Sequence, residues 1–290
     1  MVSLDISMSP DLPPAGQRPH PGDDDWFTPG GLEREKMGSL GFRFDPGGVH
    51  LSKTMMFNDL RAVLESTSTG NPNEFERAVI VDNVLAKPTG TARRLSLTRL
   101  NTLYGLLKPH PIQTVALRLW PRNLQGRPIL ALLCTLAREP LLRRTAPIIL
   151  GIPIGSGIRW PEFVRPLEAG YPGRYSAKMI RSLSQNCAST WTQSGHLIGK
   201  VNKRRKIAEA SPEAAVFAAL LASLAGFGGP VLLRSPWMRV LDRPEGDLLT
   251  LLRRAEAAGL AQVRAGGGVI QIDICGPMAK TLGVPELANC

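Results

Sequence analysis

The 290-residue chain has little of what marks a metal-dependent, cross-linked or membrane-spanning protein. Its four cysteines, Cys134, Cys187, Cys275 and Cys290, are widely scattered and form no CxxC pair. Neither zinc-ligand spacing nor a disulfide framework is therefore expected. The four histidines, His20, His50, His110 and His196, show no HExxH or HxH spacing, so no metal site is expected. Acidic residues nearly vanish from the centre, where 101–210 hold only Glu139, Glu162, Glu168 and Glu209. Two-metal nuclease chemistry needs clustered carboxylates, and this scarcity argues against it. The glycines at 266–268 lack a following P-loop Lys-Ser/Thr, and Ile and Pro interrupt those of 151–157, so both read as turns. The acid pairs Glu74/Glu76 and Glu33/Glu35 have no histidine or metal-ligand neighbours. With no catalytic signature, the chain is read as non-enzymatic and without a cofactor.

Long apolar runs are also missing. No useful apolar stretch follows Met1, so no signal peptide is expected. Ala214 to Leu233 carries no charge, but Gly228-Gly229-Pro230 ends any helix there. What remains is about 14 residues, or about 21 Å, against a hydrocarbon core of ~30 Å. The stretch is read as a buried core helix, and the protein as cytoplasmic, with no membrane partner.

What is present is positive charge in one place. With 43% hydrophobic residues the chain can bury real cores, and its length suits two or three domains. The net charge is +11, yet residues 1–50 hold 4 basic and 8 acidic residues, and 211–290 hold 7 of each. Residues 51–210 carry 24 basic against 9 acidic residues, a net of +15. Solubility needs charge of either sign, not one sign over so long a stretch. A partner surface for a polyanion is expected there.

The chain divides into four parts by composition. Residues 1–50, with 7 prolines and 8 glycines, read as a flexible tail in which Trp26-Phe27 and Phe42-Arg43-Phe44 are the docking candidates. Residues 51–150 read as a helix-turn-helix unit with a helical packing layer. Helices are expected over 57–65 and from Pro72 to Leu85, then a turn at 87–91 with Thr91 as cap, then a helix over 92–107. The packing layer is read as helices over 112–120, 128–138 and 141–150. Residues 151–210 read as a second, basic winged-helix-like unit, with helices over 161–168 and 174–188 and a Gly-bounded basic segment after them. Residues 211–290 read as a third, neutral winged-helix-like unit. It is expected to hold helices over 212–227, 237–241 and 244–259, a strand at 231–233, and a hairpin around 265–268. The expected fold class is mainly α with short β-wings, in tandem helix-turn-helix or winged-helix-like units.

Two helical wheels carry the functional expectation. In the first unit Leu97, Leu100, Tyr104 and Leu107 share a face opposite Thr91, Arg94, Thr98 and Thr102, with Lys87 and Thr89 at the preceding turn and Arg93 near the helix's positive N-terminal end. In the second, Met179, Ile180, Leu183 and Cys187 point inward, while Arg174, Lys178, Arg181 and Gln185 fall on the far side. Lys200, Lys203, Arg204, Arg205 and Lys206 then form a basic run suited to phosphates flanking a groove. Cations on phosphates supply affinity, and polar side chains on a groove-seated helix supply sequence preference. Double-stranded DNA is the expected partner. The alternative is an adaptor or transcriptional regulator whose basic face meets an acidic protein or RNA. Cys134, Cys187 and Trp120, Trp160, Trp191 and Trp237 are expected to anchor cores.

The run 79–107, with Asn83-Val84-Leu85-Ala86-Lys87 and Thr89-Gly90-Thr91-Ala92-Arg93-Arg94, resembles BrxA, the small helical protein of the BREX phage-exclusion systems. The resemblance continues through 128–142 and 174–199 and covers about half the chain. It departs from that pattern in the Pro/Gly-rich N-terminal stretch and in the Ala-rich, Gly-Gly-Pro segment. It implies a non-enzymatic duplex-DNA-binding component of an anti-phage defence operon, acting beside methyltransferase and ATPase partners. The DNA contacts it implies are Thr91, Arg93, Arg94, Lys178 and Arg181.

Overall fold

The computed structural model describes residues 25–28, 33–122, 124–266 and 269–288. The described chain is mainly helical, with two small antiparallel sheets. It runs α1 (Arg34–Leu40), α2 (Phe57–Glu65), α3 (Pro72–Ile80), α4 (Gly90–Tyr104), α5 (Pro111–Leu119), α6 (Arg127–Arg138), α7 (Pro140–Arg143) and α8 (Ala146–Gly151). There follow β1 (Gly157–Ile158), α9 (Val164–Gly170), α10 (Ala177–Gln193), β2 (Leu197–Ile198) and β3 (Lys203–Arg205). The last part holds α11 (Pro212–Leu224), α12 (Gly229–Arg234), α13 (Pro236–Arg239), α14 (Glu245–Ala257), β4 (Gln262–Gly266), β5 (Val269–Asp273) and α15 (Cys275–Leu282). Among the described residues no helix is long and apolar enough to cross a membrane.

Start and stop residues explain most of these bounds. Asn71 caps α3 by accepting from the Glu74 N–H, and Pro72 occupies the first turn, where a missing N–H costs nothing. The helix ends at Ile80 rather than at the expected Leu85, because Asn83 and Ala86 both turn left-handed (φ +50°). The Asn83 side chain ties that turn, accepting from the Lys87 N–H at 2.9 Å and donating to its carbonyl at 3.1 Å. Thr89, not Thr91, caps α4, and Gly105 (φ +69°) ends it before the expected Leu107. α10 begins at the Ser176 cap and reaches Gln193, so it starts three residues later and ends five residues later than the wheel predicts. Residues 231–233 are helix, not strand: Pro230 sits in the first turn of α12, and Leu232 and Leu233 are buried while Val231 faces solvent. A short apolar run cannot distinguish the two by periodicity. The hairpin lies at the expected place, with Val263 opposite Ile272.

The buried apolar side chains form one contiguous cluster from Phe27 to Leu287. α11 is buried along nearly its whole length, packed on α6, α13 and α14. Cys134 and Cys187 are free and fully buried. Cys275 is disulfide-bonded, although the cysteine spacing predicts no such bond. Described residues from the stretch expected as a tail belong to this core. Phe27 packs edge-on against Trp237 and accepts its Nε1–H at 2.8 Å, and Met37, Leu40, Phe42 and Val49 are buried. The remainder of 1–50 lies outside the described residues.

A buried polar cluster fastens this N-terminal segment to α10. Glu139, fully buried between α6 and α7, accepts from the backbone N–H groups of Val49 (2.9 Å) and His50 (3.2 Å). The His50 ring donates from Nδ1 to the same carboxylate at 3.2 Å and hydrogen-bonds through Nε2 with the Thr190 hydroxyl of α10 at 2.8 Å. Thr190 also accepts from the Met55 N–H. Burial alone raises the Glu139 pKa, but the His50 hydrogen bond and the two backbone donors outweigh it and hold the carboxyl below its usual value. Gly48 is required here, since a Cβ would lie 2.3 Å from a Glu139 carboxylate oxygen. Glu139→Ala strands three buried donors and is expected to cost at least about 3 kcal/mol in urea unfolding. Gly48→Ala should lower the midpoint in the same assay, and an unchanged midpoint for both would show that the cluster holds nothing together.

Candidate nucleic-acid interface

The second unit gathers the exposed cations most densely. β1, β3 and β2 form a sheet in that order, with Gly157 and Ile198 both opposite Arg204. α9, a turn at 171–176 and α10 lie in the chain between β1 and β2, and Ser194-Gly195 leads from α10 almost directly into the sheet. α10 turns Ile180, Leu183, Cys187 and Trp191 into the core. Spaced at 3 and 4 residues, Lys178, Arg181 and Gln185 are all exposed on its opposite face. Arg181 lies over the half-buried Trp160 ring at 5.2 Å. Two details differ from the wheel: Met179 is 41% exposed rather than inward, and Arg174 precedes α10, on the turn, with its guanidinium over Tyr175.

The basic run is split by the strand that contains it. Side chains alternate along β3, so Lys203 and Arg205 face inward while Arg204 faces out. Lys203 donates to the Thr192 hydroxyl at 2.8 Å, and burial lowers its pKa. Arg205 donates to the Ile149 carbonyl at 2.7 Å and grips the Asp242 carboxylate from two nitrogens, one at 2.8 Å. These two expected DNA contacts are therefore structural. Lys200, in the turn between β2 and β3, Arg204 and Lys206 are exposed.

In the first unit most of the expected contacts are occupied. Lys87 pairs with both Asp59 oxygens at 3.2 Å. Thr89 is spent as the α4 cap. Arg93 donates to the Ile80 carbonyl at 2.7 Å, and its Nε is buried without a partner. The Thr98 and Thr102 hydroxyls donate back to the Arg94 and Thr98 carbonyls, and Thr102 is half-buried under Arg138. Thr91 and Arg94 alone stand exposed with no bond from their side chains among the described residues.

Next to α10, between α9 and the 171–176 turn, lies a cleft of about 710 Å3 that the sequence reading missed. Its residues Arg165, Glu168, Tyr171 and Tyr175 come from two elements, and no sequence spacing links them. The only legible signal was the one-face spacing of Pro161, Val164, Arg165, Glu168 and Ala169.

Comparison of the chain with protein-family models, with curated proteins and with solved structures finds no match.

Two predictions separate fold from interface. Arg205→Ala leaves the Asp242 carboxylate unpaired in a nearly buried site and is expected to destabilise by about 3–5 kcal/mol. Arg204→Ala, its exposed neighbour, should change stability by no more than about 0.5 kcal/mol. Equal losses in thermal unfolding would contradict the inward and outward assignment.

The second concerns pH. His196, fully buried, bonds the Val240 carbonyl through Nε2 at 2.8 Å. Burial pushes its pKa down to about 4, although Asp242 at 3.8 Å acts in the opposite direction. The unfolded chain then takes up this proton near pH 6.5, while the native protein resists until about 4. Stability should fall as pH drops between those values, by up to about 3 kcal/mol. In unfolding followed from pH 7.5 to 4, His196→Asn should flatten that limb; an unaltered slope would remove His196 as its cause.

Proposed function

We propose that this chain is a non-enzymatic protein that binds duplex DNA through its second unit, with α10 as the helix seated in the major groove. The observation that carries the reading is the arrangement around α10. A helix, a turn and a second helix are followed by two paired strands, and the exposed face of the second helix bears Lys178, Arg181 and Gln185. That order, with β1 joined to β3, supports a winged-helix-like unit in which the turn holding Lys200 is the wing and Arg204 lies beside it. Lys178 and Arg181 suit guanine edges or phosphates, and Gln185 suits an adenine edge. Arg94 and Thr91 on α4 form a lesser, second contact. The third unit, with its hairpin, is neutral and takes a packing or protein-contact role in this reading. The resemblance to BrxA extends it to an anti-phage defence system with methyltransferase and ATPase partners.

A second reading, an adaptor for an acidic protein, draws on apolar exposure around the same sheet. Ile198 is 58% and Val201 76% exposed, and Ile154 and Ile207 lie exposed nearby in the chain. Gel-shift titration of one duplex at several salt concentrations decides between them. Duplex binding predicts a steep loss of affinity between about 50 and 200 mM salt. The triple change Lys178→Ala, Arg181→Ala and Arg204→Ala should weaken binding and flatten the log–log slope by about 0.9 for each phosphate no longer neutralised. No retardation at low salt would reject the DNA reading and leave the adaptor.

A further inference from the structure

We infer that the cleft between α9 and the turn before α10 takes a nucleotide, with its base against Tyr171 and its phosphate among the surrounding arginines. The cleft's volume of about 710 Å3 lies within the usual range of about 300–1,000 Å3 for small-molecule sites. Tyr171 and Tyr175 meet nearly edge to face, at 6.4 Å and 78°, and so form a corner of two aromatic rings. Each ring is accompanied by a guanidinium, Arg144 over Tyr171 at 5.8 Å and Arg174 over Tyr175 at 5.9 Å. Tyr175 is fixed by donating its hydroxyl to the Pro46 carbonyl. The side chains of Tyr171, Arg165 and Glu168 make no hydrogen bond or ion pair among the described residues, and all three line the cleft.

The chemistry of this set is selective. Arg165 lines the cleft, and Arg144 and Arg174 lie over the rings of its two tyrosines, against the single lining carboxylate of Glu168; this balance favours an anion and repels a cationic peptide. An aromatic face with flanking guanidinium groups is what an unpaired base stacks on. Glu168, which lines the same cleft from α9, supplies an acceptor for the N–H donors of a base edge, and guanine offers two adjacent ones. Inorganic anions would use the arginines alone and leave the tyrosine corner empty. The nucleotide has two sources, an unpaired base within bound nucleic acid or a free mononucleotide, and only the first rests on the duplex-DNA reading.

Calorimetric titration with dGMP and with inorganic phosphate tests the cleft without any duplex. dGMP should bind about tenfold more tightly than phosphate, and Tyr171→Ala should lose that advantage with unchanged thermal stability. Should Tyr171→Ala fail to fold, Glu168→Ala, on the α9 side of the cleft, serves the same purpose. Gel shifts then compare a fully paired duplex with one carrying a single bulged guanine. A preference of about tenfold for the bulge, abolished in the variant, assigns the nucleotide to nucleic acid. Binding of dGMP with no such preference assigns it to a free nucleotide. If dGMP binds no better than phosphate and the two duplexes bind alike, the inference is wrong while duplex binding stands. dGMP binding that survives both substitutions would also overturn it, since the site would lie elsewhere. Failure to retard either duplex overturns the duplex reading, and the calorimetry still decides the cleft.

Discussion

The carboxylate of Glu139 is the constraint on which the arrangement of the basic unit depends. A buried charge survives only where its oxygens are satisfied, and here the satisfying donors come from a segment ninety residues earlier in the chain. Val49 and His50 are drawn onto it, and His50 passes the connection to Thr190 on α10. Asn186 adds a bond to the His50 carbonyl, and Gln193 adds bonds to Thr54 and Phe57. One side of α10 is thereby fixed in rotation, which determines what its other side presents. Lys178, Arg181 and Gln185 are outward because Thr190, Asn186 and Gln193 are held inward.

Charge counted along the chain overstates charge available to a partner. Arg138 and Arg143 are buried and donate to carbonyls of Gly41, Thr102, Leu136 and Arg43. Arg143 also pairs with Asp25 of the acidic N-terminal stretch. Lys203 and Arg205 close the inner face of the small sheet, and Lys87 is neutralised by Asp59. Much of the excess over 51–210 is therefore structural. It caps helix ends and satisfies loop carbonyls, work that requires N–H donors. The free remainder is smaller but concentrated around α10.

Legibility in the sequence followed the reach of local rules. α2, the start of α3 and the end of α14 at Gly259 could be read because caps, prolines and helical spacing act within one turn. The start of α10 was misplaced because Arg174 continues the wheel although the chain is still turning at Tyr175, and Ser176 is the residue that caps. The split of the basic run was hidden because an apolar-polar alternation is invisible where every position is basic. The N-terminal docking was legible in part: Phe27 and Phe42, both named as docking candidates, are buried, while proline and glycine composition hid Met37 and Leu40. Of the cleft only the helical wall was legible, since the cleft joins one face of α9 to a turn whose shape no motif encodes.

The two helices expected to be equivalent differ for a physical reason. On α4 the polar stripe is mostly threonine, and the Thr98 and Thr102 hydroxyls each find a carbonyl four residues back in their own helix. A stripe so satisfied has little left to offer a base edge. On α10 the stripe is Lys, Arg and Gln, whose side chains reach past the backbone and make no ion pair among the described residues. The aromatic rings beside it, Trp160 under Arg181 and Tyr175 under Arg174, restrict those cations without neutralising them. A guanidinium held over a ring keeps its full charge and loses part of its rotamer freedom, so less entropy remains to be lost when a phosphate arrives. Pre-ordering of this kind is absent from α4, where Arg94 stands alone. Under the proposed function, the asymmetry favours α10 and its adjoining turn as the polyanion contact and leaves α4 a subsidiary face.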